Sequence, residues 1–278
     1  MPVWRVSAVV STYNRSGCLR ACIASLEEQT VRPHEVIICD DGSDGEHVRV
    51  IEQIVRGSSL TVRHVRQEDR GFRLAASRNN GVRAAAGDYV FFTDGDLVLF
   101  PDVLELHLAA SGRRRWVSGA TVRLTPEETQ QLSEDLIRSG RLESVWPGHD
   151  DERWRRLLKA ARRFRRRARL ARVWPSESVF RKLRLLGFQA SMPREAFETV
   201  NGFDEAFEGW GEEDLDLGLR LQLAGYRACT VLDRSRVLHL HHPRWQGPPP
   251  NRSYYERLRR GEFRCRNGLV KDALPSQG

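Results

Sequence analysis

Two aspartates stand one residue apart at the end of one of the most apolar stretches in the chain. Asp94-Gly95-Asp96 follows Tyr89-Val90-Phe91-Phe92-Thr93, a run of β-forming residues that begins after the turn pair Gly87-Asp88 and predicts a buried strand. Two carboxylates at the end of a buried strand are costly unless a positive group lies between them. The pattern therefore indicates a divalent cation, although a polar turn also accounts for so short a motif.

The residues before this motif alternate between predicted strands and predicted helices. The strands are Val3–Val10, Glu35–Cys39, Thr61–Val65 and Tyr89–Thr93. The helices between them are centred on 19–26, 48–54 and 74–86. This order and spacing predict an α/β fold with a parallel sheet and helices on both faces. Ligands of such sheets bind at the carboxyl ends of the strands, where polar or acidic residues follow three of these four, so the geometry favours a nucleotide site.

A second acidic cluster lies in the last third of the chain. Gly209-Trp210-Gly211 leads into Glu212-Glu213-Asp214-Leu215-Asp216, where an amphipathic helix is predicted to begin and to end at Gly225. Acids in the first turn of a helix complement its dipole, and that alone explains their presence. A carboxylate beside an indole also suits the gripping and deprotonation of a sugar hydroxyl, so a general base is the alternative prediction.

Three histidines occur within four residues at the end of a further predicted strand, Val237–Leu240. His239 and His241 are expected to share one face of the extended chain, with His242 following them. One histidine here would more often be structural. Three together, with two carboxylates predicted nearby, indicate a metal ligand.

Length and composition fit one large globular domain. The chain has 278 residues, of which 40% are hydrophobic and 29% charged. No apolar run approaches the ~18 residues that span a bilayer, and the first strand begins too early for a signal peptide. Five cysteines without zinc spacing favour a reducing compartment, so we expect a cytoplasmic protein.

The positive charge is concentrated in one segment. Residues 153–172 contain eleven arginines or lysines and no acid, and without them 34 basic residues face 37 acidic ones. The apolar residues of the segment keep the spacing of one helix face, including Trp154, Leu157 and Phe164. Such a helix either docks on an anionic membrane with Trp154 and Phe164 inserted, or packs on the domain by that face. The sequence favours neither strongly.

At this point the motifs resemble a known family. Each is loose alone, but their order and spacing are similar to the inverting, metal-dependent glycosyltransferases of family 2 with the GT-A fold. The closest resemblance is to the chondroitin-polymerase-like branch, whose C-terminal half is related to galactosyltransferases. The resemblance covers nearly the whole chain except about 125–186 and the tail. The matching motifs are Ser11-Thr12-Tyr13-Asn14-Arg15, Asp40-Asp41-Gly42-Ser43, Gln67-Glu68-Asp69-Arg70-Gly71-Phe72, Ala76-Ser77-Arg78-Asn79, Asp94-Gly95-Asp96, Asn201-Gly202-Phe203-Asp204 and Trp210-Gly211-Glu212-Glu213-Asp214, with the His239 strand.

The resemblance implies a role for each matching position. The residues expected to bind the nucleotide sugar are Thr12, Tyr13, Arg15, Asp41, Gln67, Asp69, Arg78 and Asp94. Those expected to hold the metal are Asp94, Asp96 and His239, with His242 as a reserve. Asp214 is expected to be the catalytic base, with Trp210 and Glu213 positioning the acceptor. The single GT-A domain, a Rossmann-like sheet flanked by helices, would then comprise a nucleotide-sugar half at 1–110, a variable basic helical insert at 125–186 and an acceptor half at 187–245.

These roles imply transfer of a sugar, from a UDP-sugar by expectation, to a hydroxyl of a glycan or lipid-linked acceptor. An Asp and His ligand set favours Mn²⁺ over Mg²⁺. Peripheral contact with the inner face of an anionic membrane through 153–172 is a further expectation, and nucleic acid is not expected as a partner. One alternative is an inactive GT-A scaffold that binds polyanions or membranes through the Arg-rich helix. The other is a sugar-1-phosphate nucleotidyltransferase, which should carry a Gly-rich basic loop near the first strand.

Overall fold

The computed structural model describes residues 3–243 and 261–271. The strands in these residues are β1 (Val6–Thr12), β2 (Glu35–Asp40), β3 (Val62–Arg66), β4 (Tyr89–Asp94), β5 (Leu97–Leu99), β6 (Arg115–Ser118), β7 (Val122–Arg123), β8 (Gln189–Pro193), β9 (Arg227–Thr230) and β10 (Val237–His239). The helices are α1 (Ser16–Glu27), α2 (Gly45–Gly57), α3 (Leu74–Ala84), α4 (Val103–Ala110), α5 (Pro126–Gln130), α6 (Glu134–Arg138), α7 (Glu152–Val173), α8 (Glu177–Phe180), α9 (Arg194–Thr199) and α10 (Glu213–Leu223). A single 3-10 turn, Leu142–Ser144, precedes α7.

The central sheet has seven strands in the order β3-β2-β1-β4-β8-β6-β9. The four strands predicted from the first 96 residues are present, neighbouring and parallel to one another. Strand β8, for which the sequence predicted no direction, runs antiparallel to both β4 and β6. Short strand–helix–strand connections favour parallel pairing, so the direction of the first four strands of this sheet was predictable. A long helical segment precedes β8, so its direction was not.

The first strand begins and ends later than predicted. It was expected at Val3–Val10 but spans Val6–Thr12. Its parallel register with β2 pairs Ser7 with Glu35 at one end and Thr12 with Asp40 at the other. Ser11 and Thr12 therefore belong to the sheet and are not part of a polar turn, because the ladder with β2 continues to Asp40.

The core lies on both faces of the sheet. Successive side chains of a strand point to opposite faces, so Val10 and Phe91 join one buried cluster with α1 and α2. Val9 and Phe92 join the other, which includes residues of α3 and α10. This double coverage explains why β1 and β4 are nearly continuous apolar runs.

The second sheet is small but brings distant parts of the chain together. Its order is β5-β10-β7, with β10 antiparallel to β5 and parallel to β7. The register pairs His239 with Leu97, the residue that follows Asp96. The end of β10 is thereby fixed beside the turn between β4 and β5.

The Arg-rich segment forms the 22-residue helix α7, as predicted. Its apolar stripe packs on the domain: Trp154 is 3% exposed and Phe164 is 6% exposed. Their rings make edge contacts with Trp146 and Trp116, at centroid distances of 5.2 and 6.1 Å. The predicted insertion of Trp154 and Phe164 into a membrane is therefore wrong, because both side chains fill the core.

Helices α5 to α8 all lie within the predicted insert at 125–186, and α10 lies within the predicted acceptor half at 187–245. This division of the chain stays a prediction, and residues 244–245 of the acceptor half lie outside the described residues. Among the described residues, no helix combines the length and apolar character needed to cross a membrane.

Residues 261–271 are fastened to the loop that begins at Asn201. The Asn201 amide donates to the carbonyls of Cys265 and Val270, both at 2.8 Å, and its oxygen accepts from the Val270 N–H at 2.9 Å. Asn201 also has a positive φ of 65°, a conformation that asparagine tolerates better than most residues. One side chain therefore holds both the turn and the C-terminal segment in place.

We expect Asn201→Ala to lower the free energy of unfolding by about 4 kcal/mol. About 3 kcal/mol would come from the three hydrogen bonds and about 1 kcal/mol from forcing alanine into the left-handed region. Asn201→Gly is the matched control, because it loses the same bonds but tolerates the backbone, so its loss should be smaller by about 1 kcal/mol. Urea unfolding followed by circular dichroism measures both, and losses below 1 kcal/mol would show that 261–271 is not docked in solution.

Candidate functional site

Three parallel strands end side by side and supply the first part of the site. The register places Thr12 beside Asp40 and Ser11 beside Asp94. The loops that follow β1, β2 and β4 therefore meet at one edge of the sheet, as the sequence predicted. The hydroxyl oxygen of Thr12 is buried there without a hydrogen-bond partner among the described residues, so it can serve a ligand.

Asp41 is held in a fixed orientation by its neighbours. One carboxylate oxygen accepts from the side-chain amide of Gln67, and the other accepts from the backbone N–H of Arg73 at 2.8 Å. The Gln67 amide is oriented in turn by Asn80, which donates to its oxygen at 2.9 Å. Burial raises the pKa of Asp41 despite these donors. Asp41 and Gln67, predicted separately, thus form one unit.

Tyr13 and Asp69 form a second pair at this edge. The Tyr13 hydroxyl donates to the Asp69 carboxylate at 3.0 Å, while the tyrosine residue stays 42% exposed. Asp69 packs on Gly42, where an added Cβ would lie 2.5 Å from the Asp69 backbone and φ is +97°. Glycine is needed at position 42 for both reasons. An exposed ring above a fixed carboxylate suits a planar, hydrogen-bonding ligand such as a nucleotide base.

A potential metal-binding cluster lies at the turn between β4 and β5. One atom from each of Asp96, His239 and His242 lies within 4.8 Å of the others. The Nε2 atoms of His239 and His242 are 3.6 and 3.2 Å from Asp96 carboxylate oxygens and 3.1 Å from each other. Burial opposes ionisation of Asp96, but the two facing imidazoles hold its pKa well below the usual range. The same carboxylate raises the pKa of His242.

This cluster fits a divalent cation. Oxygen Oδ1 of Asp96 is buried and has no hydrogen-bond partner among the described residues, so one acceptor faces the cluster unsatisfied. Imidazole nitrogens and a carboxylate oxygen are ligands for divalent transition metals. Arg15, predicted to line the nucleotide, donates to the other Asp96 oxygen at 2.8 Å. It therefore lies against the proposed ligand set.

The predicted pairing of His239 with His241 on one face is wrong. Strand β10 ends at His239, and the His241 backbone N–H then donates to the Thr129 hydroxyl at 2.9 Å. His241 is exposed, whereas His242 lies 3.2 Å from Asp96. The reserve ligand His242 thus joins the cluster, because regular strand structure ends at His239 and does not continue to His241.

Asp94 lies outside this cluster and is bound to Arg78. The Arg78 guanidinium is 2% exposed and donates to Asp94 at 2.9 Å, to Glu213 at 3.1 Å and to the Ser11 hydroxyl at 3.1 Å. Burial disfavours the charged guanidinium, but the two carboxylates raise the pKa of Arg78, so it remains a cation. The buried Arg78 cation therefore forms ion pairs both with the sheet edge and with the start of α10.

Two acidic side chains at the start of α10 have raised pKa values. Burial and the adjacent Asp214 raise the pKa of Glu213 to about 7. Burial also raises the pKa of Asp214, whose carboxylate accepts from the Gly187 N–H at 3.1 Å. Asp214 remains half-buried and so is accessible to a ligand. A raised pKa increases the proton affinity of a carboxylate, which suits the role of a general base.

The nearby acids are not equivalent to Asp214. Asp216 is fully buried, accepts a hydrogen bond from Arg220 Nε at 2.7 Å and lies 2.7 Å from Arg220 Nη2, so it belongs to a structural ion pair. Trp210, predicted to position an acceptor, is 55% exposed on the loop before α10. The backbone there has a positive φ at Gly209, Gly211 and Glu212. An exposed indole on such a loop is available to stack on a ligand.

Two residues of the site were missed in the sequence. Ser11 holds the Arg78 guanidinium through its hydroxyl, and it was assigned to a turn. An added Cβ at Gly187 would lie 2.6 Å from an Arg78 nitrogen and 3.1 Å from the Asp214 Cβ. The isolated glycine two residues before β8 was the available signal, since it marks a close approach of backbone to neighbouring groups.

The fold and the site define the class of protein. The sheet has the arrangement of GT-A glycosyltransferases, and the paired strand ends, the acidic turn and the α10 carboxylates occupy one edge of it. A model described as glycosyl transferase family 2 matches residues 7–182. The chain belongs to this family. A second model, described as the N-terminal domain of galactosyltransferase, matches residues 180–243 and includes α10 and the histidine strand.

Characterised relatives carry several functions. The chain is 30% identical over 225 residues to validoxylamine A glucosyltransferase from Streptomyces hygroscopicus subsp. limoneus, covering 79% of this chain and 48% of the relative. It is 28% identical over 252 residues to chondroitin synthase from Pasteurella multocida, covering 86% and 25% respectively. The chain thus spans about half or less of the length of these relatives.

Solved structures show the same fold at low identity. The mannosyltransferase PcManGT from Pyrobaculum calidifontis, in complex with GDP-Man and Mn²⁺, has a TM-score of 0.57 and 20% identity over 92% of this chain and 60% of its own. TarS from S. aureus, residues 1–349 in complex with UDP-GlcNAc, has a TM-score of 0.58 and 15% identity over 96% and 68%.

We expect Arg78→Met to destabilise the fold by about 3–5 kcal/mol, because it leaves the buried Glu213 and the partly buried Asp94 carboxylates without their cation. Arg156→Met is the matched control: Arg156 pairs with Glu152 on the surface, so its loss should stay within about 0.5 kcal/mol. Adding Glu213→Gln to Arg78→Met should recover part of the stability. Urea unfolding measures all three, and equal losses for the two single variants would refute the buried ion pair.

Proposed function

We propose that the protein is an inverting, metal-dependent glycosyltransferase. In this proposal it moves a hexosyl or N-acetylhexosaminyl group from a nucleotide sugar, a UDP-sugar in the first instance, to a hydroxyl of a glycan or lipid-linked acceptor. A cytoplasmic location is part of the same proposal. The observation that carries it is the Arg78 guanidinium, which contacts both Asp94 at the predicted donor edge and Glu213 beside Asp214. The Arg78 side chain therefore bridges the predicted donor and acceptor groups.

The donor would lie along the ends of β1, β2 and β4. Asp41, fixed by Gln67 and Arg73, offers a carboxylate to a uracil ring, and the exposed Tyr13 ring offers a face. Asp96, His239 and His242 would hold Mn²⁺, or Mg²⁺ less favourably, with Asp94 and Arg15 alongside. A divalent cation bound there supplies positive charge to a departing diphosphate. Two of the solved structures with this fold are described as complexes with Mn²⁺.

Asp214 would act on the acceptor. Its half-buried carboxylate accepts a hydroxyl proton while the hydroxyl oxygen bonds to the sugar C1 and the C1–diphosphate bond breaks. Attack from the face opposite the diphosphate inverts the anomeric carbon, so no nucleophilic carboxylate is required. Trp210 would stack on the acceptor, while Glu213, held by Arg78, would hydrogen-bond to it. The fixed Gly187 N–H orients the Asp214 carboxylate for this step.

The inactive-scaffold alternative receives no support from the comparisons, which match active transferases. The placement of Asp96 beside two histidines also has no structural purpose in an inactive scaffold, because it leaves a buried oxygen unsatisfied. A panel of nucleotide sugars tested for hydrolysis and for transfer identifies the donor, and no turnover of any of them would contradict the proposal.

Removal of the metal should abolish turnover. We expect excess chelator to stop UDP-sugar hydrolysis and Mn²⁺ to restore it better than Mg²⁺. His239→Ala should weaken Mn²⁺ binding in calorimetric titration by at least about 10–100-fold, the loss typical of changes beside a metal site. His241→Ala is the matched control, since that histidine lies two residues away and outside the cluster. Full turnover in chelator would remove the metal from the proposal.

Loss of the base should slow the reaction without weakening donor binding. Asp214→Asn keeps an acceptor for the Gly187 N–H but cannot take a proton, so we expect a rate ~10²–10⁴-fold lower. Donor affinity in titration should change by no more than a few-fold. A rate within a few-fold of the wild type would assign the proton to another group.

The pH profile provides the control for this variant. The pKa of Asp214 is raised, so the base is protonated at acid pH and is gained as the pH rises. Wild-type kcat/KM should therefore increase with pH through a limb above the ~3.9 of an exposed aspartate. Asp214→Asn should lack that limb, whereas a limb that persists would belong to a different group.

A further inference from the structure

The outward face of α7 carries positive charge that the fold does not use. Four of its basic residues are paired: Arg153 with Glu128, Arg155 with Asp150, Arg156 with Glu152 and Arg165 with Asp233. Seven others form no ion pair with any residue that the structure describes: Lys159, Arg162, Arg163, Arg166, Arg167, Arg169 and Arg172. All seven lie in the C-terminal two-thirds of the helix.

The same end of the helix exposes apolar side chains. Leu170 is 47% exposed, Val173 is 79% exposed and Trp174, which caps the helix, is 69% exposed. These are not part of the buried stripe, because Trp154 and Phe164 face the core. Exposed large apolar residues that are adjacent to one another mark a contact surface more often than scattered ones do.

The charges and the apolar residues share one helix face. Arg162 and Arg166 are four residues apart, Leu170 follows four residues later, and Val173 three residues after that. Lys159, Arg163 and Arg169 flank this row and are exposed as well. The basic-apolar patch is therefore one continuous surface, made of Lys159, Arg162, Arg163, Arg166, Arg169, Leu170, Val173 and Trp174.

We propose that the basic-apolar patch docks the protein on an anionic lipid membrane. Unpaired cations beside exposed aliphatic and indole groups complement a surface with negative headgroups above an apolar layer. A soluble polyanion would be bound by the cations alone and gives no reason for Leu170, Val173 and Trp174 to be exposed. Long arginine side chains can reach headgroups while the apolar groups enter the interface.

The patch is linked to the predicted acceptor side of the site. Helix α8 begins a few residues after α7, and Phe180 at its end packs against the cluster of Phe207 and Leu219, of which Leu219 belongs to α10. Docking through the patch would therefore hold the Asp214 helix near the membrane, which favours a lipid-linked acceptor. That consequence rests on the proposed function, while the docking itself does not.

Vesicle co-sedimentation tests the docking without donor or acceptor. At low salt the wild-type protein should bind vesicles containing anionic phosphatidylglycerol and not vesicles of phosphatidylcholine alone, and high salt should release it. Each basic residue near an anionic surface contributes about fivefold in affinity, so Arg162→Gln, Arg163→Gln and Arg166→Gln together should lower it by about 100-fold. Absence of binding to anionic vesicles at low salt would overturn the proposal.

Two further variants distinguish the patch from net charge and from a polyanion site. Arg32→Gln, Arg49→Gln and Arg113→Gln remove the same charge from exposed arginines elsewhere and should leave binding nearly unchanged. Leu170→Ser, Val173→Ser and Trp174→Ser should weaken vesicle binding while keeping every charge. If this apolar variant binds like the wild type and a soluble polyanion competes with vesicles, the patch is a polyanion site and the membrane proposal is wrong.

The same variants separate this proposal from the proposed function. Transfer to a water-soluble acceptor should be unchanged in the patch variants, since none of their residues contacts the site. For the wild-type protein, no binding to anionic vesicles with normal transfer would overturn docking alone, and normal vesicle binding with no transfer would overturn the function alone.

Discussion

The buried guanidinium of Arg78 is the interaction on which the site depends. A cation that is 2% exposed is tolerable only with carboxylates around it, and Asp94 and Glu213 supply them from opposite sides. Asp94 ends β4 and Glu213 begins α10, so the ion pair fixes a distant helix against the sheet edge. The close approach explains the glycine at 187, where any side chain would collide with Arg78. It also places the Asp214 carboxyl in the buried surroundings that raise its pKa.

The turn between the two sheets adds the second constraint. Only Gly95 and Asp96 separate β4, in the large sheet, from β5, in the small one. Strand β10 pairs with β5 and thereby brings His239 to Asp96, and the residues that follow the strand add His242. Backbone pairing between β10 and β5 therefore assembles the cluster, and the metal chemistry that we propose would follow from sheet register.

Helix α7 combines two surfaces with different physical roles. Its apolar stripe contributes Trp154 and Phe164 to the core, and this burial anchors a strongly basic helix to a domain that is otherwise slightly acidic. Where acids are available, at Glu128, Asp150, Glu152 and Asp233, the arginines pair with them. The remaining outward arginines have no described acid to pair with. Composition thus predicted the helix, and packing decided which of its residues remain available to a partner.

The sequence alone determined the features that depend on local pattern. The alternation of predicted strands and helices indicated the four parallel strands. The order of the motifs indicated the family, and the residues after the fourth strand indicated the acidic turn at Asp94-Gly95-Asp96. It could not determine contacts made by residues far apart in the chain, because pairing partners, strand direction and bends depend on the packing of the whole molecule. For this reason the antiparallel direction of β8, the bonding of Asp94 to Arg78, the approach of His242 to Asp96 and the burial of Trp154 emerged only from the tertiary structure. The raised pKa of Asp214 belongs to the same group, since desolvation arises only when the chain is folded.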